Sequence, residues 1–207
     1  IQNLLEPFFD SRIGMTGGRA IPVNSRNYFM GFTSYFLWEM HHEISLKYPK
    51  LGELVAYRNL KDLHFPIDTV DDEGIIESFM EKHGYLLKYT PKSVFYNRGP
   101  LLLSEFIKRR RNIFAGHLQL WQRTSYAVST INPRKIFAAL FLKIIKIAMK
   151  DIRYFLWIIM VIFLEIFARI LAGYDFYVLK KDHSIWDIAK SSRQVRYDKA
   201  VFRNTAV

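Results

Sequence analysis

Three places in the 207-residue sequence carry side chains able to do chemistry. The first is Asp71-Asp72-Glu73, three consecutive acids just ahead of "GIIESFMEKHG". Acids in the first turn of a helix meet the positive end of its macrodipole and its unpaired N–H groups. That accounts for one or two acids without any active site. Three in a row also fit a carboxylate held ionised to take a proton from an incoming hydroxyl, with its neighbours restoring basicity. The second is Lys108-Arg109-Arg110-Arg111, four cations in one helical turn. This run reads either as a solvated or membrane-facing basic face, or as a clamp whose guanidinium forks match diphosphate oxygens. The third is Trp38, His41 and His42 around Glu39. A His-Glu set invites a metal, but the spacing is not H-E-x-x-H. A packing or acceptor-side role suits these residues better.

The elements that must position these groups follow from pattern. "RIGMTGGRAIPV" predicts a short strand broken at Gly17-Gly18. "NYFMGFTSYFLWEMHHEISLKY" predicts a helix stopped by Pro49, and "GELVAYR" a short strand. Ile75, Ile76, Phe79 and Met80 share one helical face behind the acids, with Gly84 placed to end the helix. "YLLKYT" and "SVFYN" predict two strands separated by Pro91. "LSEFIKRRRNIFAGHLQLWQ" predicts a long helix that carries the Arg run. Residues 1–130 thus read as an α/β domain with strands and helices mixed.

The pattern changes after residue 130. In "RKIFAALFLKIIKIAMK", residues 134–150, a helical projection at 100° per residue places Lys143, Lys146 and Lys150 within about 80° of Lys135. The rest of the segment from 136 to 149 is apolar. This predicts a helix lying in a membrane interface with its lysines toward headgroups. "YFLWIIMVIFLEIFARILAGY", residues 154–174, is long enough to cross about 30 Å of hydrocarbon. Glu165 and Arg169 interrupt it at i,i+4 spacing, which lets them pair. Residues 131–179 therefore read as membrane-associated helices, and 180–207 as a basic polar tail. The basic flank before residue 154 votes for a cytoplasmic side, and with it a cytoplasm-facing domain.

Composition bounds the partners. Half of the residues are hydrophobic, and the net charge is +11, from 30 Lys and Arg against 19 Asp and Glu. That balance points to a polyanion: a nucleic acid, an anionic membrane surface or a phosphorylated substrate. The long apolar helix argues against nucleic acid. The sequence has no cysteine, hence no disulfide and no thiolate metal site.

Taken together, the two constellations bring out a resemblance. An acidic motif, an apolar helix, "GY", a strand ending in "Y-x-P", a second strand, a Pro and an Arg-rich helix with a Gly resemble the second half of a family 2 glycosyltransferase of the GT-A fold. "DDE" stands where that family carries its acidic motif. "RRRNI", residues 109–113, stands where it carries Q-x-x-R-W, and Gly116 matches the later Gly. Arg109 replaces the Gln, Asn112 the Arg and Ile113 the Trp; Phe114 or Trp121 stand near enough to substitute for that aromatic. "LLEPFFDSRIGMTGGRAIPVN" looks like the segment after the metal-binding D-x-D, and "WEMHHEISLKYPKLGE" like the acceptor-side insert of membrane-bound members.

The resemblance implies the acceptor-side half of a GT-A-like domain with a mixed sheet flanked by helices. An interfacial helix and a transmembrane or membrane-embedded helix would follow it. It implies an inverting transfer of a sugar from a nucleotide-sugar donor to a hydroxyl or lipid-linked acceptor. Asp72 would be the base, with Asp71 and Glu73 tuning it. Arg109, Arg110, Arg111, Gly116 and His117 would line the diphosphate and acceptor, and Trp38, His41 and His42 the acceptor side. The complete enzyme would use Mg²⁺ or Mn²⁺ on a D-x-D that this sequence lacks, so the chain reads as a piece of a longer protein, inactive alone. The competing reading is a non-enzymatic basic protein that binds anionic lipid.

Overall fold

The structure is a computed structural model that describes residues 1–149, 151–183 and 191. Its α/β architecture is built on a small mixed sheet of three strands in the order β2-β1-β3. β1 (Ile13–Pro22) is central; β2 (Val55–Tyr57) pairs with it antiparallel, and β3 (Leu86–Asn97) parallel. Lying between two neighbours, β1 is buried without interruption from Ile13 to Gly18, as expected for a strand covered on both faces.

Two expectations about the strands are corrected. Gly17-Gly18 does not break β1. A Cβ on Gly17 would meet Leu51 at 2.8 Å, and one on Gly18 would meet the Ser93 carbonyl oxygen at 2.5 Å. The glycines are there for close approach, not for a turn. Nor does Pro91 end a strand: β3 runs through it. The register shifts there instead, with Gly17 opposite Tyr89 but Arg19 opposite Val94. Such an irregularity is where a residue without an N–H is tolerated.

At the chain start, the short helix α1 (Gln2–Leu5) is tied to β1 by the Thr16 hydroxyl, which donates to the Leu4 carbonyl at 2.7 Å. The helix α2 (Phe29–Lys47) packs on β1. The helix α3 (Asp72–Lys82) lays Ile76 and Met80 against Met15, Leu51 and Tyr89. It ends where Gly84 adopts φ +78°, as the sequence predicts. Burying side chains such as Met15 and Met80 contributes about 1.5–3 kcal/mol each.

The helix α4 (Leu103–Thr124) carries the Arg run. Two apolar helices follow, α5 (Pro133–Ala148), capped by Asn132, and α6 (Ile152–Tyr174), capped by Asp151. Phe32, Phe36, Met40 and Ile44 recur every four residues on α2, so they form one stripe. That stripe meets Leu140 and Ile147 of α5 and Ile158 and Val161 of α6. Farther along, Ala168 and Ala172 of α6 pack on Phe114 and Ala115 of α4. The helical run continues with π-type turns over Asp175–Leu179. Among the described residues, Ile152–Leu179 is one helical segment long and apolar enough to cross a membrane. Lys150 and nearly all of the expected tail lie outside the described residues.

Candidate functional site

Asp71, the first of the three acids, is the N-cap of α3. Its Oδ1 accepts from the Gly74 N–H at 2.9 Å, satisfying one of the orphan donors of the helix start. Its Oδ2 lies 2.9 Å from Nδ1 of His117 on α4. Two glycines permit this approach. A Cβ on Gly116 would stand 2.9 Å from Val70, and one on Gly74 would stand 2.5 Å from Leu120 and 2.6 Å from Asp71 Oδ2. The acidic motif and the Arg helix, distant in sequence, are thus in direct contact.

Behind Asp71 lies a buried polar network. Lys50 places its ammonium 3.9 Å from Asp71 and 3.5 Å from Glu77. Glu77 has no solvent exposure. It accepts from the Leu51 N–H at 2.5 Å and from the Tyr126 hydroxyl at 3.1 Å. One ammonium cannot fully compensate two buried carboxylates. Burial works against the charge of Asp71, but Lys50 and the His117 hydrogen bond outweigh it and hold the carboxyl well below its usual range. Glu77 absorbs the deficit: burial lifts it to about 7 against the pull of Lys50. Burial also lowers His117, against the opposing pull of Asp71. Its imidazole is therefore neutral near pH 7, donating from Nδ1 to the carboxylate.

Asp72 is different. It is exposed at the first helical position, and partial burial, then Glu73 and Asp71, raise its pKa. Of the two aspartates it is the more basic and the more accessible. Glu73 accepts from the Glu53 N–H at 3.2 Å. Glu53 in turn pairs with Arg109 at 2.8 Å and accepts from the Asn97 amide at 2.7 Å.

Every arginine of the run has a carboxylate partner. Arg109 holds Glu53, Arg110 holds Glu165 with Nε 2.6 Å from Oε1, and Arg111 grips the buried Asp175 through Nε and Nη2. Glu165 is held by this link to α4, and its charge also acts on Arg169, four residues on. Arg169 stands 4.5 Å from the centroid of the Phe114 ring, and Arg110 stands 4.6 Å from it. Phe114 is buried there, so it is not free to stack on a sugar; Trp121 is exposed.

Trp38, His41 and His42 do not join Asp71. Trp38 meets His41 edge-on at 5.1 Å, and His42 Nδ1 lies 2.9 Å from the Tyr89 hydroxyl. Burial, together with Lys50, His42 and Arg110, depresses His41 to about 3. Lys50, Glu77 and Tyr126 are the members of the site that sequence reasoning misses. Among the described residues no group of three or more potential ligands could hold a metal ion, and both oxygens of Asp71 already have partners. A cavity of about 260 Å³ adjoins the site between Val70, Ala115 and the Lys180–His183 segment.

No family model matches this chain, and no curated protein matches it in sequence.

Proposed function

We propose that the chain is the acceptor-side part of a membrane-associated glycosyltransferase of the GT-A type. It would transfer a sugar from a nucleotide-sugar donor to a hydroxyl or lipid-linked acceptor at the membrane surface. The nucleotide and its divalent ion would be held by a segment outside these 207 residues. The observation that carries the reading is the junction of Asp71 with His117, which sets the acidic helix start against the Arg helix.

In this reading the acceptor oxygen attacks the anomeric carbon while the bond from that carbon to the leaving diphosphate breaks. The acceptor proton passes to Asp72, whose exposure and raised pKa suit a base. Asp71, whose oxygens are committed to Gly74 and His117, is a positioning residue. Arg109 is the guanidinium best able to turn to the diphosphate. Its pair with Glu53 is open to solvent on both sides and is worth about 1 kcal/mol or less. Arg110 and Arg111 hold α4 on α6.

The test is Asp72→Asn in the complete protein. The expected result is a loss of about 10²-fold or more in kcat with unchanged circular dichroism. A second reading makes His117 the base, because its Nδ1–H bond to Asp71 leaves Nε2 as the acceptor. Then His117→Gln abolishes turnover and Asp72→Asn does not. Absence of turnover in the unsubstituted protein would favour the non-enzymatic reading, a basic protein of the membrane surface.

A further inference from the structure

The segment Ile152–Leu179 is long enough to span a bilayer, yet one of its faces is packed on the domain along its length. Near the start of α6, Tyr154 stacks on Phe32 of α2 at 4.9 Å, and Trp157 meets Phe29 at 6.0 Å. Midway along the segment Glu165 holds Arg110 of α4, and near its end Asp175 holds Arg111. Those two acids are ten residues apart, about 15 Å along a helix axis. A helix that crossed the hydrocarbon with these contacts intact would draw α2 and α4 in beside it. That would carry Glu39, Glu43 and the Lys108–Arg111 run to membrane depth, at about 2.5–3.5 kcal/mol per charge.

The opposite face of α6 is bare and apolar, including Leu156, Ile159, Phe163, Ile166 and Ile170, each more than half exposed. α5 packs beside α6 and turns Phe137, Phe141, Leu142 and Met149 outward. Cations stand on α5 itself and just past α6. Lys143 is turned to α2, bonded to Glu39 at 2.6 Å and Glu43 at 2.8 Å. Arg134, Lys146, Lys180 and Lys181 are exposed.

We propose that α5 and α6 lie together in one leaflet of an anionic bilayer, with both ends of α6 on the same side. Their outward apolar faces enter the acyl boundary, and Arg134, Lys146, Lys180 and Lys181 meet the headgroups. The charge pattern selects lipid over a second copy of the chain, whose own four cations would oppose these. The proposal rests on the membrane association put forward above and is independent of the transfer chemistry.

The absence of cysteine makes the test clean. Lys146→Cys and Lys181→Cys, each alone, are exposed substitutions on either side of α6. In sealed, uniformly oriented vesicles from cells making the chain, a membrane-impermeant maleimide should label both from the same face without detergent. Labelling from opposite faces overturns the in-plane arrangement and leaves membrane association standing. A second measurement tests the occupant. The chain should bind phosphatidylcholine vesicles containing one-third phosphatidylglycerol. Changing the four cations to Gln should weaken that binding about fivefold for each residue removed. Failure to bind these vesicles, or self-association that hides the apolar face, overturns the lipid assignment.

Discussion

Arg111 on α4 grips Asp175, just past α6, through two of its nitrogens, and Asp175 has no solvent exposure. His183 Nε2 lies 3.2 Å from the same carboxylate. This cluster fastens the end of the apolar helix to the helix that carries His117. Asp175→Ala leaves Arg111 and His183 facing a cavity without their anion. Breaking a buried pair from one side costs about 3–5 kcal/mol; with Arg111 partly exposed, a loss of about 3 kcal/mol is expected. The midpoint of urea unfolding measures it, and a change below about 1 kcal/mol would show that the clasp contributes little.

Acid should destabilise the fold below about pH 6.5. His41, His42, His117 and His183 all have depressed pKa values in the folded state, with burial the leading cause for each. Below the ordinary histidine value of about 6.5 the unfolded chain therefore binds more protons, and stability falls as pH falls. For His41 the loss continues down to about 3. Glu77, raised to about 7, works in the opposite sense between about 4.5 and 7. The four histidines oppose Glu77 and the exposed Asp72, whose raised pKa works in the same sense as that of Glu77, and the urea midpoint at pH 5.5 should lie below that at pH 7.5. His41→Gln should reduce the difference, and a midpoint that rises on acidification would contradict the assignment.

The contact between α3 and α4 should not tolerate a methyl group. In Gly74→Ala the new Cβ presses on both Leu120 and the Asp71 carboxylate. Overpacking of this kind costs about 1–3 kcal/mol. The substitution should also displace Asp71 from His117, which an NMR titration of the imidazole would report as a pKa moving further below its free value, because the pull of Asp71 against burial is lost. Gly52→Ala is the control, since a Cβ there meets nothing within 4 Å. Equal effects at the two positions would mean that the contact with Leu120 and Asp71 does not set the outcome.

These glycines mark where the sequence is legible and where it is not. The start of α3 follows from Asp71 and the apolar spacing behind it, and the Arg helix from its length and periodicity. The meeting of Asp71 with His117 is a matter of packing between helices, and local pattern does not encode it. Lys50 follows the Pro49 that stops α2, in a stretch whose pattern marks no buried position, yet it is buried. Glu77 reads as a polar position on an amphipathic helix, but α3 is covered on two sides. Ile76 and Met80 face the sheet, and Ile75 meets Leu120 and Val128. Gly17-Gly18 misleads for the same reason, since its meaning lies in Leu51 and Ser93 rather than in β1. Of the lysines expected to share one outward stripe of α5, Lys146 is exposed, but Lys135 stands 5.1 Å from the Tyr48 ring and Lys143 turns to Glu39 and Glu43, acids that only the fold brings near.

The pair of Lys50 and Glu77 gives the sharpest test of what holds the site. Lys50→Met alone leaves Asp71 and Glu77 without their cation in a buried setting, and a cost of about 3–5 kcal/mol is expected. Glu77→Gln alone keeps an acceptor for the Leu51 N–H, its amide N–H can donate to the Tyr126 hydroxyl oxygen, and Lys50 retains Asp71; its cost should be nearer 1–2 kcal/mol, the order of a hydrogen bond to a charged group. Because the two residues share partners, the double variant should fall short of the sum of the single losses by about 1 kcal/mol or more. The mechanism is direct: once Glu77 is neutral, removing Lys50 strands one carboxylate rather than two. Urea unfolding of the four proteins closes the cycle. Strict additivity would mean that Lys50 acts through Asp71 alone, and that Glu77 serves to anchor Leu51 and Tyr126 rather than to share the ammonium.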